Sequence, residues 1–433
     1  MILLPLWYDN HNQATTMNLQ LTAPPQAHAS ISLPMSKSIT NRALLISALC
    51  NGEPQVMRTA LCDDTAVMID ALSREGGNIN VGAAGTAMRF LTAYFATRQG
   101  VNVTLDGVER MRQRPIGGLV EALRSLGAHI DYLGDEGYPP LQIQGTAMHG
   151  SDVEMEGGVS SQFISAMMMI LPVLGGGTIH LKGYTVSMPY IHMTAAVMSG
   201  MGATVEIIAN LIHIGQGYKG YDYMVEADWS AAAPWYALAA LLPQSTIELK
   251  GLVADSIQGD ARLIELGSKL GIVSRFDSQG VKLDTSHFIG CCCSCFADMT
   301  ATPDLVPSWA VLLCLLERSF RMTGVRTLHH KESDRVEALR EELLKLGYVL
   351  KIEGQDAISW YGERVPLTQT PPVINPHGDH RLAMAFAPAA VRFPGLIITD
   401  AAVVEKSYPT YWKHLGNAGF TITPIGTINA IVR

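Results

Sequence analysis

Apolar positions along the chain fall into two alternating kinds of segment. The first kind is amphipathic with a helical period, runs into a glycine, and continues as an apolar–polar alternation: LVEALRSLGAHI, MTAAVMSGMGATVEI, ARLIELGSKLGIV, VEALREELLKLGYVL and YWKHLGNAGFTI, with a weaker copy, VMIDALSREGGNINV, ahead of them. A glycine where a helix stops and a strand begins fits a left-handed C-terminal cap. These glycines are Gly77, Gly127, Gly202, Gly271, Gly347 and Gly419, at intervals of 50, 75, 69, 76 and 72. Six units in 433 residues average about 72 each, the size of a supersecondary repeat.

The second kind of segment is apolar almost all round: RALLISALC, TAMRFLTAYFA, SQFISAMMMILPVL, AAAPWYALAALL, LVPSWAVLLCLL and RLAMAFAPAAV. A helix of that composition is buried. The lead-ins are polar: Ser36-Lys37-Ser38, Ala84-Gly85-Thr86, Ser160-Ser161-Gln162, Asp228-Trp229-Ser230, Thr302-Pro303-Asp304 and Gly378-Asp379-His380-Arg381. Capping explains any one of these Ser, Thr or Asp residues. Six buried helices of a repeat should point the same way within each domain, however, so their N-termini should converge on one anion-attracting face.

Short alternating runs such as VNVTLDG, GTIHLKG and STIELKG read as half-buried strands ending in turns, and Gly175-Gly176-Gly177 as a helix-to-strand turn. Helices and strands mix throughout, which predicts an α/β or α+β protein built from repeats. Domain crossings are expected around Leu33-Pro34-Met35 and Val225-Glu226-Ala227.

Composition narrows the class. A hydrophobic content of 48% with 16% charged residues describes a well-buried globular chain, and 433 residues exceed what one core holds. The net charge of −8 argues against a nucleic-acid binder. No apolar run reaches the roughly 18 residues of a membrane span. Met1-Ile2-Leu3-Leu4-Pro5-Leu6-Trp7 lacks the basic flank of a signal peptide, so a reducing, cytoplasmic setting is expected. Cys291, Cys292, Cys293 and Cys295 crowd one segment, but the Cys292–Cys295 spacing has no second ligand pair to complete a zinc site. A strand tolerant of small apolar residues is the simpler reading.

The chemistry gathers at the lead-ins. Lys37 stands at a predicted helix start, just ahead of a helix ending at Asn51-Gly52, where the dipole repels cations unless an anion lies between them. A solvated basic turn is the alternative. Further cations in polar, glycine-bearing contexts are Arg42, Arg114, Lys331, Arg335, Arg381 and Lys406. Lys331 and Arg335 of HHKESDR are expected on one helical face, with Glu332 beside them. Arginine suits phosphate and carboxylate. Asp304 and Glu332, near such cations, are candidate proton-transfer groups.

SKSITNRALL, AGTAMRFLTA, QRPIG, VSSQFISA, SMPY, TPDLVPSWAVL, KESDR, GDHRLAMA and EKSYP occur in this order from about Pro34 to Pro409. Together they resemble the 5-enolpyruvylshikimate-3-phosphate synthase family. The resemblance implies a two-domain inside-out α/β barrel, each domain three βαβαββ repeats with buried parallel helices. It implies a discontinuous domain of residues 1–34 and 226–433, a second of residues 35–225, and an active site in the cleft. The implied reaction transfers the enolpyruvyl group of phosphoenolpyruvate to the 5-hydroxyl of shikimate 3-phosphate, with no metal or organic cofactor, in a cytoplasmic monomer. By resemblance Lys37, Asp304 and Glu332 are catalytic. Lys37, Ser38, Arg42, Ser160, Ser161, Gln162, Ser187, Asp304 and Lys331 hold shikimate 3-phosphate. Lys37, Gly85 (through its backbone), Arg114, Gln162, Arg335, Arg381 and Lys406 hold phosphoenolpyruvate.

The chain departs from the family pattern Asn-Ala-Gly-Thr-Ala-Met-Arg-Pro with Ala83 and Phe90, and Thr327 stands where an Asn is usual. The first loses a polar neighbour of the phosphoenolpyruvate pocket, where glyphosate binds in the family. Two rivals are a UDP-amino-sugar enolpyruvyl transferase and a non-catalytic anion-binding relative. The first uses a Lys-Asn pair and a loop cysteine, where this chain has Lys37-Ser38 and no cysteine near Arg114.

Overall fold

A computed structural model describes residues 17–50, 54–286 and 294–426. The segments outside these ranges include the expected helix end at Asn51-Gly52, the opening Met1–Trp7, and Cys291, Cys292 and Cys293. All six glycines of the amphipathic runs carry positive φ, from +84° to +99°, so each run ends in the left-handed conformation glycine adopts without strain.

The apolar segments are the helices α1 (Lys37–Leu49), α2 (Gly85–Ala96), α3 (Ser161–Leu174), α4 (Ala233–Leu241), α5 (Val306–Leu315) and α6 (His380–Phe386). Every residue of α4 and α5 is buried, and all of α2 except Thr86. Each large apolar side chain so enclosed contributes about 1.5–3 kcal/mol. α1, α2 and α3 touch one another, as do α4, α5 and α6.

Sheets flank these triplets. Five have four strands in one recurring topology, as in Gly77–Asn80, Asn102–Asp106, Leu141–Gln144 and His129–Tyr132, where the first pair is parallel and the rest antiparallel. Each is a βαβαββ unit with an inner and an outer helix. In one of them the last strand to complete the sheet is Asn18–Thr22, from the start of the chain, which lies between Leu396–Ile398 and Thr421–Ile425. The sixth sheet has two strands, Val56–Met57 and Tyr223–Met224, in parallel. Its unit lacks the closing hairpin, which accounts for the short first interval of 50 residues between Gly77 and Gly127. The six expected units are present, five with four-stranded sheets and one truncated. The sheets stay separate rather than closing into a barrel among the described residues.

The buried apolar residues form two clusters, one drawn from residues 39–225 and the other from 19–33 and 227–420. The chain passes between them twice, side by side. Met35 bridges Ala227, Ser36 N donates to Glu226 O at 2.8 Å, and Asp228 N donates to Pro34 O at 2.8 Å. The architecture is a two-domain α/β fold.

Candidate active site

Caps aim the lead-ins. The Ser36 hydroxyl accepts from Ile39 N, Ser160 from Gln162 N, and Asp379 from Arg381 N at 2.9 Å. Capping and ligand binding are therefore not alternatives here: the cap fixes the turn, and the turn's next residues project past the helix end. Five of the six starts border one cavity of about 290 Å³, through Lys37 and Ser38, Gly85 and Thr86, Ser160 to Gln162, Asp304, and His380 with Arg381. The start of α4 does not itself line the cavity, but its lead-in Asp228 lies near enough to Arg381 and Lys37 to feel their charges. A 3-10 turn, Ser230–Ala232, precedes α4, and Asp228 caps that turn through Ser230 N at 2.9 Å.

The cavity walls hold nearly every residue expected from sequence: Lys37, Ser38, Arg42, Gly85, Arg114, Ser160, Ser161, Gln162, Ser187, Asp304, Lys331, Glu332, Arg335 and Arg381. Lys406 stands behind the wall, its Nζ donating to Ala83 O at 2.5 Å. Gln162 donates to the Thr86 hydroxyl at 3.2 Å. Ser187 is held in the left-handed region at φ +55°, a strained conformation of the kind that clusters at binding sites. At Gly85 any Cβ would fall on the Arg114 guanidinium, so glycine is what lets that cation lie against the start of α2.

Two kinds of cation coexist. Arg42, Arg89 and Arg114 are 2%, 3% and 6% exposed, and none forms a salt bridge with a described carboxylate. Arg42 is pinned by Thr194 Oγ1 at 2.7 Å, Ser38 O at 2.8 Å and Ser165 Oγ at 3.2 Å. Arg89 donates to Pro115 O at 2.7 Å and Gly85 O at 3.2 Å. Burial pulls the Arg42 guanidinium down to about 10 and Arg89 well below its ordinary range. Buried charges without counter-charges are costly, and an anion in the cavity relieves that cost.

The second kind is saturated. Arg335 is bonded to Asp379 at 2.6 Å, Asp304 at 2.8 Å and Glu332 at 3.0 Å. Asp304 accepts in addition from Arg381 at 2.8 Å and from the Tyr190 hydroxyl at 3.1 Å, with Lys331 Nζ at 3.4 Å. Burial alone would raise both acids. Arg381, Lys331 and Arg335 instead hold Asp304, and Arg335 and Lys406 hold Glu332, well below the usual carboxylate range. Both are ionised at neutral pH. Lys37 is bonded to Asp64 at 2.9 Å; burial works against its charge, but Asp64 and other neighbours outweigh it and raise its pKa.

HHKESDR differs from its expected form. Arg326–His330 is a 3-10 turn, Lys331 is extended, and the helix begins only at Arg335, so Lys331 and Arg335 do not share a helical face. They meet at Asp304 because the chain turns there.

Sequence reasoning missed Asp64, Arg89, Tyr190, Arg326, His330 and His380, all in the cavity wall. Asp64 sits in the first turn of Asp63–Leu72, where an acid is ordinary. Arg89 and Tyr190 lie inside motifs already noticed, AGTAMRF and SMPY. Both ring nitrogens of His380 are buried without a hydrogen-bond partner, Nδ1 lying 3.7 Å from Asp379 Oδ1, and burial pushes its pKa well down.

Fold and cavity together define an enzyme that gathers anions between two α/β lobes. Residues 74–415 match the family model described as EPSP synthase (3-phosphoshikimate 1-carboxyvinyltransferase). The chain is 47% identical over 410 residues to a 3-phosphoshikimate 1-carboxyvinyltransferase of Bacteroides fragilis, covering 94% of this chain and 99% of that one. It is 34% identical to the protein of that name from Photobacterium profundum, covering 92% and 98%. In structure it resembles EPSP synthase from Acinetobacter baumannii with a TM-score of 0.72 at 20% identity, covering 94% and 100%, a likeness of fold. The chain belongs to the EPSP synthase family.

Proposed function

We propose that the protein transfers the enolpyruvyl group of phosphoenolpyruvate to the 5-hydroxyl of shikimate 3-phosphate and releases inorganic phosphate. One observation carries the reading: three buried arginines without carboxylate partners face a cavity that also presents two ionised carboxylates and a buried lysine. The cations suit two multiply charged substrates; the carboxylates and lysine suit proton transfer between them.

In the addition step the 5-hydroxyl oxygen of the acceptor bonds to C2 of phosphoenolpyruvate while a proton adds to C3, giving a tetrahedral intermediate. Asp304 takes the 5-hydroxyl proton. Lys37, which keeps its proton, delivers one to C3, and the Glu332 carboxylate removes the C3 proton in the elimination. In the elimination step the bond from C2 to the phosphate oxygen breaks and the C3 proton leaves, restoring the double bond. Lys37, Ser38, Arg42, Ser160, Ser161, Gln162, Ser187, Asp304 and Lys331 bind shikimate 3-phosphate. Lys37, Gly85 N–H, Arg114, Gln162, Arg335, Arg381 and Lys406 bind phosphoenolpyruvate. Arg335, already bonded to three carboxylates, acts chiefly by holding Asp304 and Glu332 in place. Holding both substrates in one cavity replaces a bimolecular encounter, which favours the addition.

The reading includes a division into residues 1–34 with 226–433 and residues 35–225, supported by the paired chain crossings at Met35 and Ala227. It includes a working monomer, with a cavity lined by residues from the chain ranges of both apolar clusters. A cytoplasmic setting accords with the unpaired thiols of Cys50, Cys62 and Cys314. No described helix is long and apolar enough to cross a membrane.

Purified protein mixed with shikimate 3-phosphate and phosphoenolpyruvate should release phosphate. Release only with a UDP-amino sugar as acceptor would assign the neighbouring transferase reaction, and no release with either would leave an anion-binding relative.

A further inference from the structure

Beside the substrate cavity lies an outer cleft of about 270 Å³. Gly158, Val186, Arg326 and Thr327 border both spaces, so the two meet at these four residues. Gly158 and Val186 are followed closely by Ser160 with Ser161 and by Ser187, three of the cavity's hydroxyls. Arg326 therefore stands where the cavity meets the outer cleft, at residues close in the chain to these serines. On its outer side the cleft presents Glu156 and Asp356 beside Lys182, and Lys182 is bonded to Glu154 at 2.5 Å.

The Arg326 side chain is exposed and makes no hydrogen bond or ion pair to a described residue; only its backbone N–H is used, donating to Asp356 Oδ1 at 3.1 Å. Next to it, Thr327 Oγ1 is buried without a hydrogen-bond partner. A free guanidinium and an orphaned hydroxyl on neighbouring residues share one cavity wall with three serines and the start of the 14-residue α3, and together they form an incomplete polar shell. Lys331, the other cation at this end, is drawn 3.4 Å from Asp304 and partly spent on it.

We propose that Arg326 binds the phosphate group of the acceptor substrate, with Thr327 Oγ1 donating beside it. The inference rests on the function proposed above and adds a residue that neither the motifs nor the resemblance assigned. A phosphate dianion leaves room for a planar, bidentate donor after three hydroxyls and one ammonium have bonded. Glu156 and Asp356 repel the dianion from the outer cleft, and Lys182 there is paired with Glu154, so Arg326 is the outermost unpaired cation of the two linings and sets how far out the dianion rests.

The test compares shikimate 3-phosphate with unphosphorylated shikimate as acceptors, using wild type, Arg326→Ala and Arg326→Lys. Arg326 is exposed and unbonded through its side chain, so both variants should fold, which circular dichroism checks. Arg326→Ala should raise the KM for shikimate 3-phosphate about tenfold or more, the scale of a lost charge-assisted contact, with the KM for phosphoenolpyruvate within about twofold. Its preference for the phosphorylated acceptor should fall by the same factor, and Arg326→Lys should recover part of it. An unchanged KM for shikimate 3-phosphate, or equal losses with both acceptors, overturns the role of Arg326. Absence of wild-type turnover of shikimate 3-phosphate overturns instead the function on which it rests.

Discussion

Lys406 Nζ stands 3.4 Å from Asp64 Oδ1, across the line between the two apolar clusters, while the other oxygen of Asp64 bonds Lys37 Nζ at 2.9 Å. One carboxylate thus ties a catalytic candidate to a residue near the far end of the chain. Asp64 is 4% exposed, so the pairing operates where solvent screens little.

Asp64→Asn removes the largest influence that raises the Lys37 pKa, leaving burial to lower it. The ammonium should then lose its proton at lower pH. The basic limb of the kcat/KM profile should move toward neutrality, and kcat should fall by up to about 100-fold through misplacement of Lys37. A pH–rate series on the purified variant checks this. A basic limb that stays put would show that Lys37 does not govern it.

Arg381→Ala strips Asp304 of its 2.8 Å partner and the cavity of a guanidinium. The KM for phosphoenolpyruvate should rise far more than that for shikimate 3-phosphate, by about 10- to 100-fold for a charge-assisted contact. Lower kcat should accompany it, because Asp304 loses the first of the cations that keep it ionised. Steady-state kinetics with each substrate varied in turn measure the ranking, and the reverse order contradicts the assignment.

What the sequence made legible, and what it hid, follows from range. The left-handed glycines and apolar helices are local signals, read correctly from Gly127 or from LVPSWAVLLCLL because backbone sterics and composition decide them. The cations of the cavity were visible for a similar reason: Lys37 at a helix start violates a local rule. Asp64 violates none. It becomes a site residue only because Lys37 and Lys406 arrive from elsewhere, and no pattern within Asp63–Leu72 carries that information. Lys331 and Arg335 were read as helical neighbours from their spacing of four, but Asp334, accepting from Val336 N and Glu337 N, caps the helix only there and forces Lys331 outside it. The truncated sixth sheet left its trace in the interval of 50 residues, a number that acquires meaning once the missing hairpin is seen.

Asp260 sets a pH dependence of stability. It is 3% exposed; its Oδ2 accepts from Ser230 Oγ at 2.5 Å and its Oδ1 has no partner. Burial and the nearby Asp304 push its pKa up to about 6, with Arg381 working against them and Asp228 adding to them. A carboxyl raised on folding is neutral in both states below its unfolded pKa near 4, so no penalty exists there. The penalty grows as pH climbs from about 4 to 6 and is constant above, on the order of about 3 kcal/mol. Asp260→Asn should therefore match wild type in stability near pH 4.5 and exceed it at pH 7.5. Chemical denaturation at the two pH values reads the difference, and a gap that does not change with pH would show that Asp260 does not titrate in the folded protein.

Phe90, the residue by which the chain departs from the family's Pro, lies under Arg42, with the guanidinium carbon 5.4 Å from the ring centroid. Arg42 makes no salt bridge with a described carboxylate, and its hydrogen bonds to Thr194, Ser38 O and Ser165 engage its edges. The ring therefore offers a negative face to a buried cation that otherwise waits for substrate, a contribution of about 1–2 kcal/mol when desolvated. Phe90→Leu keeps an apolar side chain of similar bulk, so stability should drop by less than about 1.5 kcal/mol if the core repacks. Arg42 should become less well ordered, and the KM for shikimate 3-phosphate should rise about fivefold or more while that for phosphoenolpyruvate stays within about twofold. Equal changes in both constants would trace the effect to a general loosening of α2, since Arg89 on the same helix would then have moved as well.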